Sequence, residues 1–443
     1  MLAVLCVAQF VDVLGVTIAV VALPALGNRF QAPQSELQWV VSGYALLFGG
    51  LLIAAGRMGD RCGHRRTFVT GVAALAAGSL LSAVAPDLVA VIVGRAVQGL
   101  AAAFMVPAAL AMLLARFPLG AGRHQALAIW TAAGAAGGAA GFLTGGLLVD
   151  AAGWRSVFLV NVPLCLAALA ASPGLPVSRP APSDRPTDLT GAALVTVGLI
   201  GLLAGITAVG PVARPAVLAG SGALLGVFAI TERRSSNPLL PKELLRSEGF
   251  VRSLGVACVL TFTTTPASVL GALFLQDRLG HSAAVTGLMF APFSLAVVVG
   301  SWLSRRASGR WGHRVTVTAG VIAVAVAMLV STAAVTLASG VLLVLSLVLS
   351  GFGLGGASVA VSTVGTSAVI DADQGLASGL LNAAPQLGSA VGTAAIAAVA
   401  AVLTLANAYL IAVGVAVGGA LVATTLPRRE MARREASRAG QPS

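Results

Sequence analysis

The sequence predicts an all-α polytopic membrane protein. Of its 443 residues, 57% are hydrophobic and only 9% are charged, whereas a soluble globular chain carries about 25% charged residues. Apolar runs long enough for a helix to cross a bilayer, about 20 residues, recur along the chain. Glycine is abundant in these runs, with 53 residues in all, as expected for helices that pack closely in lipid. Such unbroken runs exclude an outer-membrane barrel, whose strands are short and alternate in polarity.

Fourteen apolar segments are candidate spans. They lie at residues 2–27, 37–56, 67–85, 88–114, 125–149, 155–172, 189–210, 213–231, 250–275, 283–303, 315–337, 340–369, 376–401 and 404–426. The boundary between the last two segments depends only on a turn signal at residues 404–407. Basic residues cluster in alternate connections and in the C-terminal tail, and basic loops are retained in the cytoplasm. We therefore predict that both termini are cytoplasmic, and that the net charge of +12 reflects membrane orientation and not nucleic-acid binding.

The chain also contains an internal repeat. The segment RCGHR at 61–65 recurs 249 residues later as RWGHR at 310–314, an offset of about eight spans with their loops. Parallel repeats of this kind are typical of secondary transporters. We predict four parts, namely a six-helix bundle (1–172), a linker with two extra transmembrane helices (173–248), a second six-helix bundle (249–426) and a basic cytoplasmic tail (427–443).

Neither a nucleotide-binding loop nor metal-ligand spacing nor a nucleophile–base pair occurs in the sequence. The segment 351–356 fits the pattern GxGxxG, but it lies inside an apolar run and is better explained by helix packing. We therefore expect no enzyme activity, no metal and no cofactor, with a proton gradient as the energy source.

Two charged residues fall in the cores of predicted spans, away from their ends, where charges are costly and usually functional. Asp12 is the only carboxylate in the predicted membrane core, and Gln9 lies one turn before it. Burial favours the neutral form of a carboxylate, so Asp12 is a candidate proton carrier or contact for a cationic substrate. Arg95, with Gln98 one turn on, keeps its charge and is suited to influence a carboxylate or hold an anionic group. The alternative for Asp12 is a structural ion pair or hydrogen bond to a neighbouring span, and the alternative for Arg95 is a purely structural role in helix packing.

The repeated loop is a candidate conformational latch, because its glycines permit a tight turn and its acid can pair with nearby basic groups. The latch residues are Gly56, Asp60, Arg61, Gly63 and Arg65, with Arg310, Gly312 and Arg314 in the second copy. The alternative is a basic loop that only sets orientation. A separate set of glycines in the fifth span predicts a smooth face for close helix packing, namely Gly134, Gly138, Gly141, Gly145 and Gly146.

Taken together, these motifs resemble the fourteen-span drug:proton antiporter branch of the major facilitator superfamily. The matching segments are 56–66, 94–99, 138–146 and 154–163, together with Gln38-Trp39 and Tyr44. The resemblance implies a major facilitator fold, rocker-switch alternating access, proton coupling and export of small amphipathic compounds. The chain departs from the branch in span one, where the usual acid is replaced by Gly15, and in span five, where Phe142 replaces a proline.

We accordingly expect a monomeric exporter of a drug, antibiotic or metabolite in the bacterial cytoplasmic membrane. Asp12, Arg95, Gln98 and Gln9 are expected to line the proton and substrate pathway, together with Asn382 and Gln386. Two alternatives stay open, an importer or facilitator for a metabolite and a transport-inactive membrane sensor. The scarcity of aromatic residues, with two Tyr and five Trp, argues against a sugar substrate.

Overall fold

The computed structural model describes residues 1–117, 121–176, 189–207, 212–235, 242–369 and 374–427, and over these ranges the chain forms helices and no strand. It divides into two compact units. The first comprises Met1–Asn237 with Ala272–Ala291, and the second comprises Pro238–Gly271 with Pro292–Ser443. The prediction of an all-α polytopic membrane protein is thereby confirmed.

The helices up to the middle of the chain belong to the first unit. They are α1 (Leu2–Phe30), α2 (Gln34–Leu37), α3 (Trp39–Cys62), α4 (His64–Val84), α5 (Leu88–Arg116), α6 (Ala121–Ala152), α7 (Ser156–Leu159), α8 (Asn161–Ala171, followed by a 3₁₀ turn), α9 (Leu189–Thr207) and α10 (Arg214–Arg234). Within this unit α4 packs along α5, α1 along α6, α3 along α5, and α9 along α10 and α3. The helix pair that the sequence marks as inserted therefore packs with the first unit.

The remaining helices are α11 (Lys242–Arg246), α12 (Glu248–Leu273, extended by a π-helical turn to Arg278), α13 (Ala283–Trp311), α14 (His313–Thr336), α15 (Gly340–Ser367), α16 (Gln374–Val402) and α17 (Leu405–Thr424). The end of α12 and the start of α13 belong to the first unit, and the rest belongs to the second. In the second unit α14 packs on α15 and α17, and α16 packs on α15 and α17.

Each of the fourteen predicted segments is helical, but not every helix meets the criterion for a span. Among the described residues, 12 helices are long and apolar enough to cross a membrane, and the bent pair Gln34–Cys62 would make 13. The apolar part of α9, Ala193–Gly205, is shorter than the others. The count of fourteen spans therefore stays a prediction.

Side-chain caps explain where three helices begin. Asp87, Ser339 and Thr404 each accept a hydrogen bond from the backbone N–H three residues later, at 2.8, 3.3 and 3.1 Å. Such a cap satisfies one of the N–H groups that the first turn leaves without a helical partner. The cap at Thr404 separates α16 from α17, so the turn signal that the sequence placed there is genuine.

The internal repeat forms the same helix junction in both units. Gly63 joins α3 to α4 with a φ of 90°, and Gly312 joins α13 to α14 with a φ of 85°. Thr67 and Thr316, one turn later, donate their hydroxyls to the carbonyl oxygens of Gly63 and Gly312, at 3.2 and 3.0 Å. The repeated sequence therefore encodes a sharp helix–helix turn that only glycine adopts without strain.

Glycines also set the close packing of α6 on α1. A Cβ added at Gly134 would lie 2.9 Å from Nε2 of Gln9, and one at Gly145 would lie 2.8 Å from Cγ1 of Ile18. The glycines that face α1 in this way are Gly134, Gly137, Gly141 and Gly145. Gly146 faces Ala283 at the start of α13 instead, so the predicted packing glycines serve two neighbours.

The junction predicts a specific effect of Gly312→Ala. The backbone at this position has φ 85° and ψ 158°, a region that is almost confined to glycine, so alanine should destabilise the protein by about 2 kcal/mol. The measurement is the free energy of unfolding of the purified protein in detergent, followed by circular dichroism.

Gly309→Ala is the matched control. Neither glycine has a neighbouring atom within 4 Å of an added Cβ, but Gly309 lies inside α13, where alanine should stabilise by about 1 kcal/mol. Equal effects of the two substitutions would contradict the assignment of strain to the junction.

Candidate functional site

Three buried polar side chains from three helices meet in the first unit. Asp12 lies on α1, Tyr44 on α3 and Arg95 on α5, with exposed fractions of 6, 2 and 1%. The Tyr44 hydroxyl donates a short hydrogen bond to Oδ1 of Asp12. On the other side, Cζ of Arg95 lies 4.4 Å from the centroid of the Tyr44 ring, a cation–π contact. Tyr44 therefore links the two buried charges.

The Arg95 guanidinium is held mainly by backbone carbonyls. Its Nε donates to the carbonyl of Val40 at 2.9 Å, and its Nη1 donates to the carbonyl of Gly15 at 3.1 Å and to Oε1 of Gln98 at 2.7 Å. Its Nη2 has no hydrogen-bond partner among the described residues. One side chain thus connects α5 to both α1 and α3.

Asp12 and Arg95 do not form a direct ion pair. No nitrogen of Arg95 lies within 4.0 Å of a carboxylate oxygen of Asp12. A buried acid in a tight pair is held ionised by its partner. The looser arrangement around Asp12, with one neutral donor and a cation beyond it, is compatible with both protonation states of the carboxylate.

Glycines allow the backbones to approach around this cluster. A Cβ at Gly99 would overlap the carbonyl of Tyr44, and one at Gly94 would overlap the hydroxyl of Ser82. Because α5 lies this close to α3 and α4, Gln98 reaches Ser82, donating from Nε2 to Oγ at 3.3 Å. The motif at 94–99 therefore combines polar groups with the glycines that bring them to their partners.

Gln9 is not part of this cluster. Its side chain is half-buried and lies against Gly134 of α6. Its Oε1 has no hydrogen-bond partner within the described ranges, and no hydrogen bond there joins it to Asp12. Its expected role in the pathway stays a prediction.

Asn382 and Gln386 lie on α16 in the second unit. Asn382 is exposed and donates from Nδ2 to the carbonyl of Ser378 in its own helix, at 3.0 Å. Gln386 is half-buried, and its side chain makes no hydrogen bond to the residues that the structure describes. Their expected role likewise stays a prediction.

The second unit repeats the scaffold of the site without its charges. Gly351 approaches the carbonyl of Phe293 as Gly99 approaches that of Tyr44, and Gly388 approaches the carbonyl of Cys258 as Gly137 approaches that of Phe10. These contacts align the two units residue by residue. The counterparts are Leu260 for Asp12, Phe293 for Tyr44 and Leu347 for Arg95. At these three positions, the second unit therefore has no charged or hydroxyl-bearing side chain.

In the predicted latch, Asp60 contacts a histidine. Its Oδ1 lies 3.4 Å from Nε2 of His64, one turn later on the other side of the Gly63 junction. Asp60 and Arg61 are exposed, whereas Arg65 and Arg314 are half-buried. Over the described part of the chain, no three His, Cys, Asp or Glu side chains converge as a metal site.

One carboxylate that the sequence did not single out makes a distinctive contact in the first unit. Asp150, near the end of α6, accepts hydrogen bonds from the backbone N–H groups of Ala283 (3.2 Å) and Ala284 (2.9 Å) at the start of α13. A carboxylate at a helix N-terminus is stabilised by the unsatisfied N–H groups and the helix dipole. Gly146 and Gly287 bring the two backbones close beside this contact.

A second bond fixes the same region. Gln276, at the end of α12, donates from Nε2 to the carbonyl of Val21 in α1, at 3.1 Å. The ends of α12 and α13 that belong to the first unit are thus tied to α1 and α6 by polar contacts.

A helical membrane protein with repeated helix junctions and a carboxylate buried between helices beside an arginine has the features of a secondary transporter. The chain belongs to the Major Facilitator Superfamily, whose sequence profile matches residues 5–393 and 252–442. It is a transporter of that superfamily with several membrane-spanning helices, as the sequence motifs indicated.

Its relatives include named export proteins. The chain is 33% identical over 403 residues to the multidrug resistance protein Stp of Mycobacterium tuberculosis (strain CDC 1551 / Oshkosh), covering 88% of this chain and 74% of the relative. It is 36% identical over 407 residues to the cephamycin export protein CmcT of Amycolatopsis lactamdurans, covering 88% and 82%. The crystal structure of a POT family transporter in complex with 5-aminolevulinic acid shares the fold, with a TM-score of 0.72, 14% identity and coverage of 95% and 94%.

The contact between Tyr44 and Asp12 predicts strong coupling between Tyr44→Phe and Asp12→Leu. Each substitution alone leaves one buried polar group without its partner, whereas the two together reproduce the apolar pair of the second unit. We expect the free energy of unfolding of the double variant to be about 1–3 kcal/mol higher than the value obtained by adding the two single effects. The measurement is the free energy of unfolding in detergent.

The control cycle combines Asp12→Leu with Tyr409→Phe. Tyr409 is also buried and donates to a backbone carbonyl, that of Ala267 at 3.2 Å, but it shares no partner with Asp12. Its effect should add to that of Asp12→Leu within about 0.5 kcal/mol. Additivity in both cycles would show that the Tyr44–Asp12 bond contributes no coupling.

Proposed function

We propose that this transporter exports small amphipathic compounds from the bacterial cytoplasm in exchange for protons, by alternating access. The observation that carries the proposal is the carboxylate of Asp12, buried where three helices meet, which Tyr44 contacts and Arg95 approaches without pairing directly. The names of the relatives, a multidrug resistance protein and a cephamycin export protein, support the direction and the class of compound.

The proton step follows from the charges around Asp12. When Asp12 is ionised, its negative charge offsets the buried Arg95, and the Tyr44 hydroxyl donates to it. When Asp12 takes up a proton, the buried cluster gains a net positive charge and the Tyr44 bond loses its charged acceptor, which weakens it. Protonation therefore changes the balance of forces among α1, α3 and α5.

Arg95 is the group through which this change reaches the helices. It bonds the carbonyls of Val40 in α3 and Gly15 in α1. Its own charge is constant because a guanidinium does not lose its proton in proteins. Protonation of Asp12 removes its attraction for Arg95. The Arg95 side chain, which bonds from α5 to both α1 and α3, therefore changes position.

The contacts of Asp150 form a closure between α6 and the start of α13, and this closure opens during transport. Two N–H···O bonds to a helix N-terminus lie beside glycine-lined backbone contacts. About two turns away, the buried rings of Phe142 and Phe290 pack across the same two helices, with centroids 5.0 Å apart. We assign this closure to the outer side, because the basic loops are placed in the cytoplasm.

Several accompanying assignments belong to the same proposal. Both termini face the cytoplasm, the protein resides in the bacterial cytoplasmic membrane, and the transporting unit is a monomer. The proton gradient supplies the energy, and the chain needs neither a cofactor nor a catalytic centre. The compound itself is defined by class, a small molecule with apolar and polar parts.

The first test measures concentrative efflux of ethidium, an amphipathic probe, from vesicles that carry an imposed proton gradient. Asp12→Asn should reduce uphill efflux to the level of vesicles without the protein, because an amide cannot carry the proton. Net movement of ethidium down its own concentration gradient should persist. A protonophore should have the same effect on the unmodified protein as the substitution.

Asp87→Asn is the matched control, since it replaces an acid that caps α5 outside the buried cluster and asparagine is an equally good cap. It should leave uphill efflux intact. Undiminished uphill efflux by Asp12→Asn, or by the unmodified protein after the gradient has been collapsed, would refute proton coupling at this residue.

The second test concerns Asp150. Removing a carboxylate from a helix N-terminus costs about 1 kcal/mol, so Asp150→Ala should favour separation of α6 from α13 about fivefold. A cysteine introduced as Ala283→Cys, at a position that is buried in the closed arrangement, should then react about fivefold faster with a membrane-impermeant maleimide added outside intact cells.

Asp87→Ala provides the comparison, because Asp87 also caps a helix but bonds only within its own helix start. It should leave the labelling rate of the introduced cysteine unchanged. An equal rate with and without Asp150→Ala would rule out this closure.

A further inference from the structure

An apolar groove opens on the surface of the second unit between α13 and α15. Its volume is about 400 Å³, and its lining contains no polar residue. Leu295 and Val299 form one wall, and Leu345, Val348 and Phe352 form the other. These side chains are exposed, with Leu295 reaching 65%. In a membrane protein such a surface faces lipid tails.

The groove leads directly to a tryptophan and an arginine. Leu295, Val299, Trp302, Arg306 and Arg310 follow one another at intervals of three or four residues, so they share one face of α13. Trp302 is 51% exposed, and Cζ of Arg306 lies 3.8 Å from its ring centroid. Exposed tryptophans of this kind mark the level of the lipid headgroups.

Basic charge accumulates at this end of α13. Arg305, Arg306 and Arg310 are all exposed, and Arg310 lies 5.8 Å from the ring centroid of a second exposed tryptophan, Trp311. In the part of the chain that the structure describes, none of the three forms an ion pair with a carboxylate. The positive charge is therefore available to an external anion.

The distances match a phospholipid. From Leu295 to Arg306 the helix rises about 16 Å, at about 1.5 Å per residue. One leaflet of a bilayer contributes about 15 Å of the hydrocarbon core. An acyl chain that starts at the level of Arg306 therefore ends within the groove, with its headgroup beside the arginines.

We propose that the groove between α13 and α15 and the Trp302–Arg306–Arg310 cluster form one binding site for an anionic phospholipid. The acyl chain occupies the groove, and the headgroup phosphate contacts Arg306 and Arg310. This site is separate from the buried Asp12 cluster and does not depend on proton coupling. Under the proposed orientation, the lipid belongs to the cytoplasmic leaflet.

The corresponding junction of the first unit lacks the aromatic part of this site. The residues 249 positions before Trp302 and Trp311 are Ile53 and Cys62. The repeat thus preserves the turn and several arginines but not the tryptophans. This difference assigns the lipid site to the second unit alone.

The test titrates purified full-length protein with phosphatidylglycerol or with phosphatidylcholine of the same acyl chains, and measures binding by native mass spectrometry. Each arginine near an anionic surface contributes about a factor of five in affinity. Arg306→Gln with Arg310→Gln should therefore weaken phosphatidylglycerol binding about 25-fold and leave phosphatidylcholine binding unchanged.

Arg233→Gln with Arg234→Gln is the matched control. These two arginines are exposed at the end of α10, on the same predicted side, and the sequence from residue 229 to residue 238 contains no tryptophan. The control should change phosphatidylglycerol binding by less than about twofold. Equal losses in the two double variants would mean diffuse attraction and would overturn the site.

Two further measurements separate the lipid from other occupants. Glycerol 3-phosphate, which carries the anionic headgroup chemistry without acyl chains, should not displace the lipid; displacement at similar concentration would indicate a free-anion site and overturn the proposal. Val299→Trp fills the groove and leaves the arginines in place, so it should also weaken phosphatidylglycerol binding. A dimer that dissociates with this variant would assign the groove to a second copy of the chain and overturn it as well.

Discussion

The contact of Tyr44 with both Asp12 and Arg95 is the interaction on which the interior of the first unit depends. Charged groups removed from water are costly unless hydrogen bonds or opposite charges compensate them. Here the carboxylate receives one hydroxyl donor, and the guanidinium is satisfied by backbone carbonyls of two neighbouring helices and by Gln98. The Val40 carbonyl in α3 comes within reach because glycine at position 99 lets α5 lie against α3. The packing of three helices and the chemistry of the site therefore have the same cause.

The two units differ in chemistry more than in construction. Both contain a helix junction with a glycine at positive φ, a threonine that bonds back to it, and glycines that approach a neighbouring carbonyl. At the three positions of the charged cluster, however, the second unit has Leu260, Phe293 and Leu347. An apolar core needs no compensating partners, so at these three positions that unit retains the scaffold without a protonatable group. Transport energy is therefore expected to enter through one unit only.

Most of the helices, and part of the site, were predictable from the sequence. Asp12, Arg95 and Gln98 stand out because polar residues inside apolar runs are rare, and the structure brings these three into one network through Tyr44. Tyr44 itself gave a weaker signal, since a tyrosine in an apolar run is common and its hydroxyl partner lies 32 residues away. Asp150 resembled an ordinary acid at a helix end, and only its contact with α13 distinguishes it.

The sequence by itself determined the class of protein, the positions of the long helices and the repeated junction, because these depend on local hydropathy, on loop charge and on the backbone freedom of glycine. Only the tertiary structure decided which polar groups meet. It joined Tyr44 to Asp12, separated Gln9 from that carboxylate, and left Arg95 beside the acid without a direct ion pair. The reason is that such contacts depend on the rotation and separation of whole helices, which are set by the sum of packing contacts along their length and not by the residues around any one polar group.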